Sequence, residues 1–370
     1  MDHVGWVYVD EKPLTLSLGK SVDQTRTCPE FKSDVDQSNI AFEDSFGFIG
    51  GTYQSVLDSF RKWDHPDFVP DTSILAIFPV VIHQFTSLLS SLDIQWYDLD
   101  KLYCTLHWTS IDSSPGRLHK RILHVKTKND LLTAYNPFEL MNYAFRTDYI
   151  PLHNLVDKKE YQTYVKIKER NVRTFVTTPF EFIVKGKWCF EPFHNAFLRN
   201  KTDNNFYRVG QSYDDGQFFA LFESLNKFKQ KIEVDCKWWD RYFASYLVDI
   251  VVAGVTPLVP EDKRPDWLEH THHVIYYTYK ECHVLLPNGQ VVIMKTGQPS
   301  GCALTTFMNS SAHIIIWIID CVVDNYHWNL LRIYVVGDDN LMATNRPMNL
   351  DYIRNVYARC GFIAKETSKI

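Results

Sequence analysis

Cysteine is scarce in this 370-residue chain: there are eight, at positions 28, 104, 189, 236, 282, 302, 321 and 360, and none stands in a C-x-x-C pair. That excludes a disulfide framework and the usual zinc spacings, and it points to a reducing compartment. Long apolar runs are also missing. The best, Ile314 to Ile319, is flanked by His313 and Asp320, well short of the roughly 18 residues of a membrane span, so no membrane span is expected. The opening MDHVGWVYVDEK has acids where a secretory leader would have bases. Neither sign of charge dominates, with 39 Lys+Arg against 44 Asp+Glu and a formal net charge of −5. Such a balance does not advertise a nucleic-acid binder, but local patches matter more than the sum. No repeat period or low-complexity tract appears. What is abundant is apolar and aromatic material, 45% and 15% of residues, enough for a large core and too much for global disorder.

The length allows two or three domains or one elaborated one. Residues 73–95 form an apolar helical candidate. Two basic stretches follow: five bases and no acid from Arg117 to Lys128, then six bases and two acids from Lys158 to Arg173. From residue 230 the pattern sharpens. A strand is predicted at 231–235 and a helix at 240–252, with Phe243, Tyr246, Leu247, Ile250 and Val251 on one face. Runs at 274–279 and 283–294 read as β around the Pro287-Asn288-Gly289 turn signal. The loop 296–301 precedes a helix over 303–326. Strands at 332–336 and 341–344 are joined by Gly337-Asp338-Asp339-Asn340, and a helix over 350–360 stops at Gly361.

The carboxylates carry the first chemical signal. Asp235 ends a strand, while Asp338 and Asp339 sit at a hairpin tip. If these strands are neighbours, three acids converge at one sheet edge. Hard cations such as Mg²⁺ take oxygen ligands and complete their shell with water and substrate phosphates. Two such ions about 3.5–4 Å apart suit nucleotidyl transfer. A lone Gly-Asp-Asp is also ordinary turn chemistry, so a second signal is needed. The spacing S-G-x3-T-x3-N-S from Ser300 to Ser310 supplies one: Thr305 and Asn309 share a helix face, Gly301 permits unusual backbone, and the polar groups could read ribose hydroxyls.

In order, Asp235 and Asp240 as D-x4-D, Ser300 to Ser310, and Gly337 to Asp339 resemble motifs A, B and C of viral RNA-dependent RNA polymerases of the picornavirus-like assemblage. Ser113-Ser114-Pro115-Gly116 resembles motif G in the form of partitivirus- and picobirnavirus-type enzymes of double-stranded RNA viruses. The stretch Lys166 to Phe175 resembles basic motif F, and Gly361-Phe362 with Lys369 resembles motif D, for which Lys365 competes. Val336 stands where many relatives have Tyr, and Lys237 where motif A commonly has Ser.

The resemblance implies an α/β (α+β) right-hand polymerase with a ferredoxin-like antiparallel palm sheet and mixed α/β fingers. Residues 1–230 would be fingers with an N-terminal extension. Residues 231–370 would be palm, with a fingers insertion at about 255–295 and the thumb absent. Asp235, Asp338 and Asp339 would hold Mg²⁺, with Mn²⁺ able to substitute. Asp240, Ser300, Gly301, Thr305 and Asn309 would bind the nucleotide and its ribose. Arg173, Arg170 and Lys168 would meet the incoming NTP, and Lys369 would protonate pyrophosphate. Ser114, Pro115 and Gly116 would touch template RNA. Implied partners are RNA template and product, NTPs and viral capsid protein, in the host cytoplasm or the virion. A reverse transcriptase and a non-catalytic RNA-binding fragment are the competing readings. His270, His272, His273, Cys282 and His283 fit no standard zinc spacing, and Trp238 and Trp239 read as core.

Overall fold

A computed structural model describes residues 6–8, 46–49, 53–96, 114–115, 119–120, 124–134, 137–158, 160–163, 172–200, 206–209 and 217–365. In chain order the elements used below are β1 (Trp6–Tyr8), β2 (Phe46–Ile49), α1 (Thr72–Leu89), β3 (His153–Asp157), β4 (Glu160–Thr163), β5 (Thr174–Thr177), α2 (Phe180–Arg199), α3 (Gln217–Asn226) and β6 (Gln230–Glu233). Then follow α4 (Trp239–Tyr242), α5 (Ser245–Val255), α6 (Arg264–Ile275), β7 (Cys282–Leu285), β8 (Val291–Met294), α7 (Thr305–Val323), β9 (Leu331–Val336), β10 (Asp339–Thr344) and α8 (Leu350–Arg359).

Two sheets matter for the site. A three-stranded antiparallel sheet has the order β6-β10-β9, so the strand before Asp235 and the hairpin bearing Asp338 are indeed neighbours. A five-stranded sheet has the order β1-β8-β7-β3-β5. It draws β7 and β8 from the 255–295 region into the sheet of the N-terminal part, with β3 and β7 parallel. The two parts are therefore interleaved rather than strung in series. A separate pair joins β2 to β4.

Helix α7 is apolar on every side because it runs through the middle of the core, buried from Phe307 to Cys321. Helix α1 packs on it and on α5 through Ile74, Val81, Phe85 and Leu89, a helical spacing, and Asp71 caps its start by accepting from the Ile74 N–H at 3.0 Å. Thr86 of α1 donates to the Gly254 carbonyl at 2.8 Å. By length and composition both α1 and α7 are apolar enough to cross a membrane; 83% of the α7 window is buried inside the fold, against 22% for α1.

Three expectations change. The helix predicted over 240–252 is two helices, α4 and α5, because Phe243 and Ala244 are extended. The break has a use: the carbonyls of Asp240 and Phe243 accept from Gln298 N–H at 2.7 Å and Gly297 N–H at 3.2 Å, which docks the loop before α7. The β-like run 274–279 is helical instead, finishing α6 and continuing as a π-turn over Tyr276–Lys280 with Tyr279 wholly inside. Burial of that face overrides its β propensity. Finally, Trp239 is core as expected, but Trp238 is 40% exposed.

Candidate active site

The Gly337-Asp338 turn joins β9 to β10, since Val336 and Asp339 still pair. Gly337 sits at φ 66°, where a side chain is strained, although the space around its Cα is open; the conformation, not crowding, calls for glycine. Extending the β6–β10 register by two residues from the Leu341–Glu233 pair sets Asp339 opposite Asp235. On the other side of Asp235 the chain end returns: Lys237 N–H donates to Ile363 O at 2.8 Å and Lys365 N–H to Asp235 O at 2.7 Å. The Lys365 ammonium also lies 2.7 Å from the half-exposed Asp235 carboxylate.

Crowding of acids shows in Asp339, whose carboxyl is pushed up by partial burial and then by the charges of Asp338, Asp235 and Glu233. A divalent cation would relieve that repulsion, and the donor set is all carboxylate, as a hard cation wants. Among the described residues no three His, Cys, Asp or Glu are gathered into a cage able to hold an ion alone. The expected gathering of Asp235, Asp338 and Asp339 into one such group is therefore not seen.

The turn is held from behind. The Ser310 hydroxyl accepts from the Gly337 N–H at 2.9 Å. His313, one turn further along α7, donates through Nε2 to the Asp338 carbonyl at 2.9 Å, and its Nδ1 lies 3.1 Å from the Tyr357 hydroxyl. Burial pushes the His313 pKa down to about 3, so the ring is neutral, and the carbonyl assigns its proton to Nε2. Asn340 donates to the Val234 carbonyl at 3.0 Å and ties β10 to the strand of Asp235. Sequence reasoning gave no role to His313 or Tyr357 and took Asn340 only as part of the turn. The available signal was the i, i+3 spacing of Ser310 and His313 on the helix of Asn309.

The second expected group also assembles. Asp240 is half-buried, receives the Ser300 hydroxyl, and is bonded by the Asn309 side chain. Burial raises its pKa, opposed by Ser300, Asn309 and the Arg173 charge. The Asn309 amide oxygen is buried with no protein partner, an acceptor left for something else. The Thr305 hydroxyl faces the loop carbonyls of Pro299, Ser300 and Cys302 at 3.1–3.2 Å, so it shapes the loop. Gly301 serves close approach. Its N–H donates to Val176 O at 3.0 Å, and a Cβ there would come within 2.9 Å of that oxygen and of Thr177 Cα.

Arg173 is exposed at the entry to β5, within electrostatic reach of Asp240 and Arg241. Pro115 accepts from the first N–H of α2 at 3.3 Å, with Ser114 exposed beside it. A cavity of about 320 Å³ with a mixed lining lies between α2 and the start of α7, bordered by Lys187, Glu191, His194, Phe190, Leu198 and Thr306. Gly116, Lys168, Arg170 and Lys369 lie outside the described residues. His270 and His273 have their pKa pushed down to about 4 by burial and pack among aromatic rings, as core histidines do.

A family profile described as viral RNA-dependent RNA polymerase matches residues 53–370. The chain is 28% identical over 193 residues to the non-structural polyprotein 1AB of human astrovirus-1, covering 50% of this chain and 13% of that polyprotein. Against the polyprotein 1AB of human astrovirus-8 the figures are 26% over 257 residues, 67% and 18%. The genome polyprotein of Mengo encephalomyocarditis virus is 23% identical over 214 residues, 55% of this chain and 9% of the polyprotein. The chain thus spans under a fifth of the polyproteins it matches. In fold it is similar to the Sicinivirus 3Dpol RNA-dependent RNA polymerase, with a TM-score of 0.68 at 16% identity over 86% of this chain and 68% of that one. These relatives are astroviral and picornaviral, and they do not support the double-stranded RNA virus type to which Ser114-Pro115-Gly116 pointed. With its carboxylate turn, its Asp240–Ser300–Asn309 cluster and a profile match over most of its length, the chain belongs to the viral RNA-dependent RNA polymerase family.

Proposed function

We propose that this chain carries the nucleotidyl-transfer site of an RNA-templated RNA polymerase that serves viral replication, on the astrovirus- and picornavirus-like side of the family. The observation that carries the reading is the meeting of two clusters around one buried helix. Acids crowd at the turn held by Ser310 and His313, and a sugar-sized polar group lies beside Asp240. Asp235 and Asp338, with Asp339 beside them, would hold Mg²⁺ or Mn²⁺, which when bound supplies charge neutralisation for the attacking 3′-oxygen and the phosphates. The protein's part is positioning. Asp240 with Ser300 orients Asn309, whose unpartnered oxygen can accept a ribose 2′-hydroxyl. Arg173, with Lys168 and Arg170, faces the phosphates as forked and point-charge donors.

Lys365 at Asp235 supports a lysine acting at the phosphate end, with Lys369 as the assigned acid for pyrophosphate. The cavity beside Thr306 supports a template path that begins at Ser114, Pro115 and Gly116. The reading keeps residues 1–230 as fingers and 231–370 as palm. It extends to work in the host cytoplasm or the virion, beside capsid protein.

The test is Mg²⁺- or Mn²⁺-dependent incorporation of NTPs and dNTPs on a primed RNA template, for wild type and Asp338→Ala. NTP incorporation lost in the variant is the expected result. Preference for dNTPs would favour a reverse transcriptase. RNA binding without synthesis in either protein would leave an RNA-binding fragment.

A further inference from the structure

Helix α5 has no cap of its own. Ala244 precedes it with no side chain to offer, and its first turn carries no acid. The acceptor comes from 178 residues earlier in the chain. Asp67, in the segment leading to α1, takes the Ser245 N–H at 3.2 Å and the Ser245 hydroxyl as well. A carboxylate there satisfies a helix-start N–H and meets the positive end of the helix dipole. The same carboxylate accepts from the Thr296 hydroxyl at 3.3 Å. Thr296 is buried and opens the loop that ends at Gly301.

The segment that presents Asp67 is packed along its length. Buried Trp63 lies against the loop, since a Cβ on Gly297 would come within 2.8 Å of its ring. The His65 ring stacks on Tyr242 of α4 at 4.8 Å. Phe68 lies 6.1 Å from the Tyr246 ring of α5, and a Cβ on Gly361 would come within 2.6 Å of it. Asp67 thus joins two pieces of chain that both lead to the nucleotide cluster. Helix α4 brings Asp240, and the loop brings Ser300, whose hydroxyl Asp240 receives. Between them the Gly297 and Gln298 N–H groups bond the carbonyls of Phe243 and Asp240. Asp67 holds the first residue of the loop and the first residue of α5, where that docked pair would otherwise part.

We propose that Asp67 is a positioning residue for the polymerase site: by clamping Thr296 to the start of α5 it keeps Ser300 against Asp240, and so sets the discrimination between ribo- and deoxyribonucleotides. The purpose rests on the ribose role proposed above for Asp240, Ser300 and Asn309, but the clamp itself can be read without synthesis. Two readouts are taken on the full chain: amide hydrogen exchange, and kcat and KM for NTPs and dNTPs on a primed RNA template. The variants are Asp67→Ala, Asp67→Asn and Thr296→Val. Asp71→Ala is the control, because Asp71 caps α1 on the same stretch of chain through Ser73 and Ile74.

Asp67→Ala should speed exchange of the Gly297 and Gln298 amides by about tenfold or more, and cut the NTP-to-dNTP ratio of kcat/KM by about tenfold, chiefly through KM for NTPs. Asp67→Asn keeps an acceptor at the helix start and should stay within about threefold of wild type in both. Thr296→Val leaves the α5 cap in place. It should move both readouts several-fold in the direction of Asp67→Ala, and it carries the test if Asp67→Ala does not fold. Asp71→Ala should lower the thermal midpoint yet leave both readouts within about twofold. Unchanged exchange in Asp67→Ala and Thr296→Val would overturn the clamp, and the same changes in Asp71→Ala would reduce it to a general loss of stability. Faster exchange with an unmoved NTP-to-dNTP ratio would overturn its part in sugar choice. If wild type makes no RNA, the polymerase reading falls, while the exchange result still decides the clamp.

Discussion

Helix α7 has an acidic cluster at each end, and the two are built on opposite rules. At its C-terminal end Asp320, wholly buried, meets the Tyr326 hydroxyl at 2.5 Å, the Tyr352 hydroxyl at 2.9 Å and Arg359 at 3.6 Å. Asp324 beside it takes Arg346 at 3.0 Å and Tyr352 at 2.6 Å, and the Arg346 guanidinium lies over the rings of Tyr326 and Tyr352. Every acid there has cations and hydroxyl donors. At the other end Asp339 feels the charges of Asp338, Asp235 and Glu233, and the Lys365 ammonium contacts Asp235. Matched charge holds α7, α8, the turn at Tyr326 and the segment after β10 together. Acids that repel one another are what an arriving cation would relieve, as the proposed function requires.

The contrast can be broken from either end. Asp338→Ala should lower NTP incorporation by about a thousandfold or more, while the thermal midpoint stays level or rises as one repelling charge is removed. A rate within tenfold of wild type would erase the distinction. Asp320→Ala should do the reverse, lowering stability by about 3 kcal/mol in urea titration because buried guanidinium and phenol groups lose their partner. An unchanged midpoint would show that the matched cluster is ornamental.

A third measurement uses neutral buried histidine. His153 is fully enclosed and its pKa is pushed down from 6.5 to about 3 by burial. Its contribution is complete above about pH 6.5 and is lost as pH falls toward 3, because only the unfolded chain takes the proton there. From about pH 6.5 to about pH 5 wild type should lose about 1.5 kcal/mol more than His153→Phe, which cannot titrate. Parallel pH curves would mean that the imidazole is not held neutral. The smallest effect belongs to Ser310→Ala. It strips the Gly337 N–H of its acceptor at about 1 kcal/mol, and should cut kcat by about tenfold with KM for NTPs unmoved.

Much of this was legible in the residues. The strand before Asp235, the Gly337-Asp338 hairpin and α7 follow from spacing, since each depends on a local repeat or a short turn, whereas the grouping of Asp240 with Ser300 and Asn309 was implied only by the family resemblance. What was hidden depends on contacts far apart in the chain. The break at Phe243 answers to Gly297 and Gln298, and the helical course of Tyr276–Lys280 to burial. The turned-in hydroxyl of Thr305 answers to its own loop, and the entry of β7 and β8 into the N-terminal sheet to a parallel pairing across more than a hundred residues. Trp238 and Trp239 are alike in sequence, yet Trp238 takes a positive φ and stays partly exposed while Trp239 is buried.

One buried helix touches both halves of the chemistry. Asn309 reaches toward Asp240, Ser310 grips the turn at Gly337, and His313 holds the carbonyl of Asp338, all within five consecutive residues. On the proposed reading, the part that would judge the sugar and the part that would set the acids are bolted to the same rigid bar. A machine so built could not relax its selectivity without also detuning its speed, and a lineage seeking a more permissive copyist through this helix would inherit a slower one.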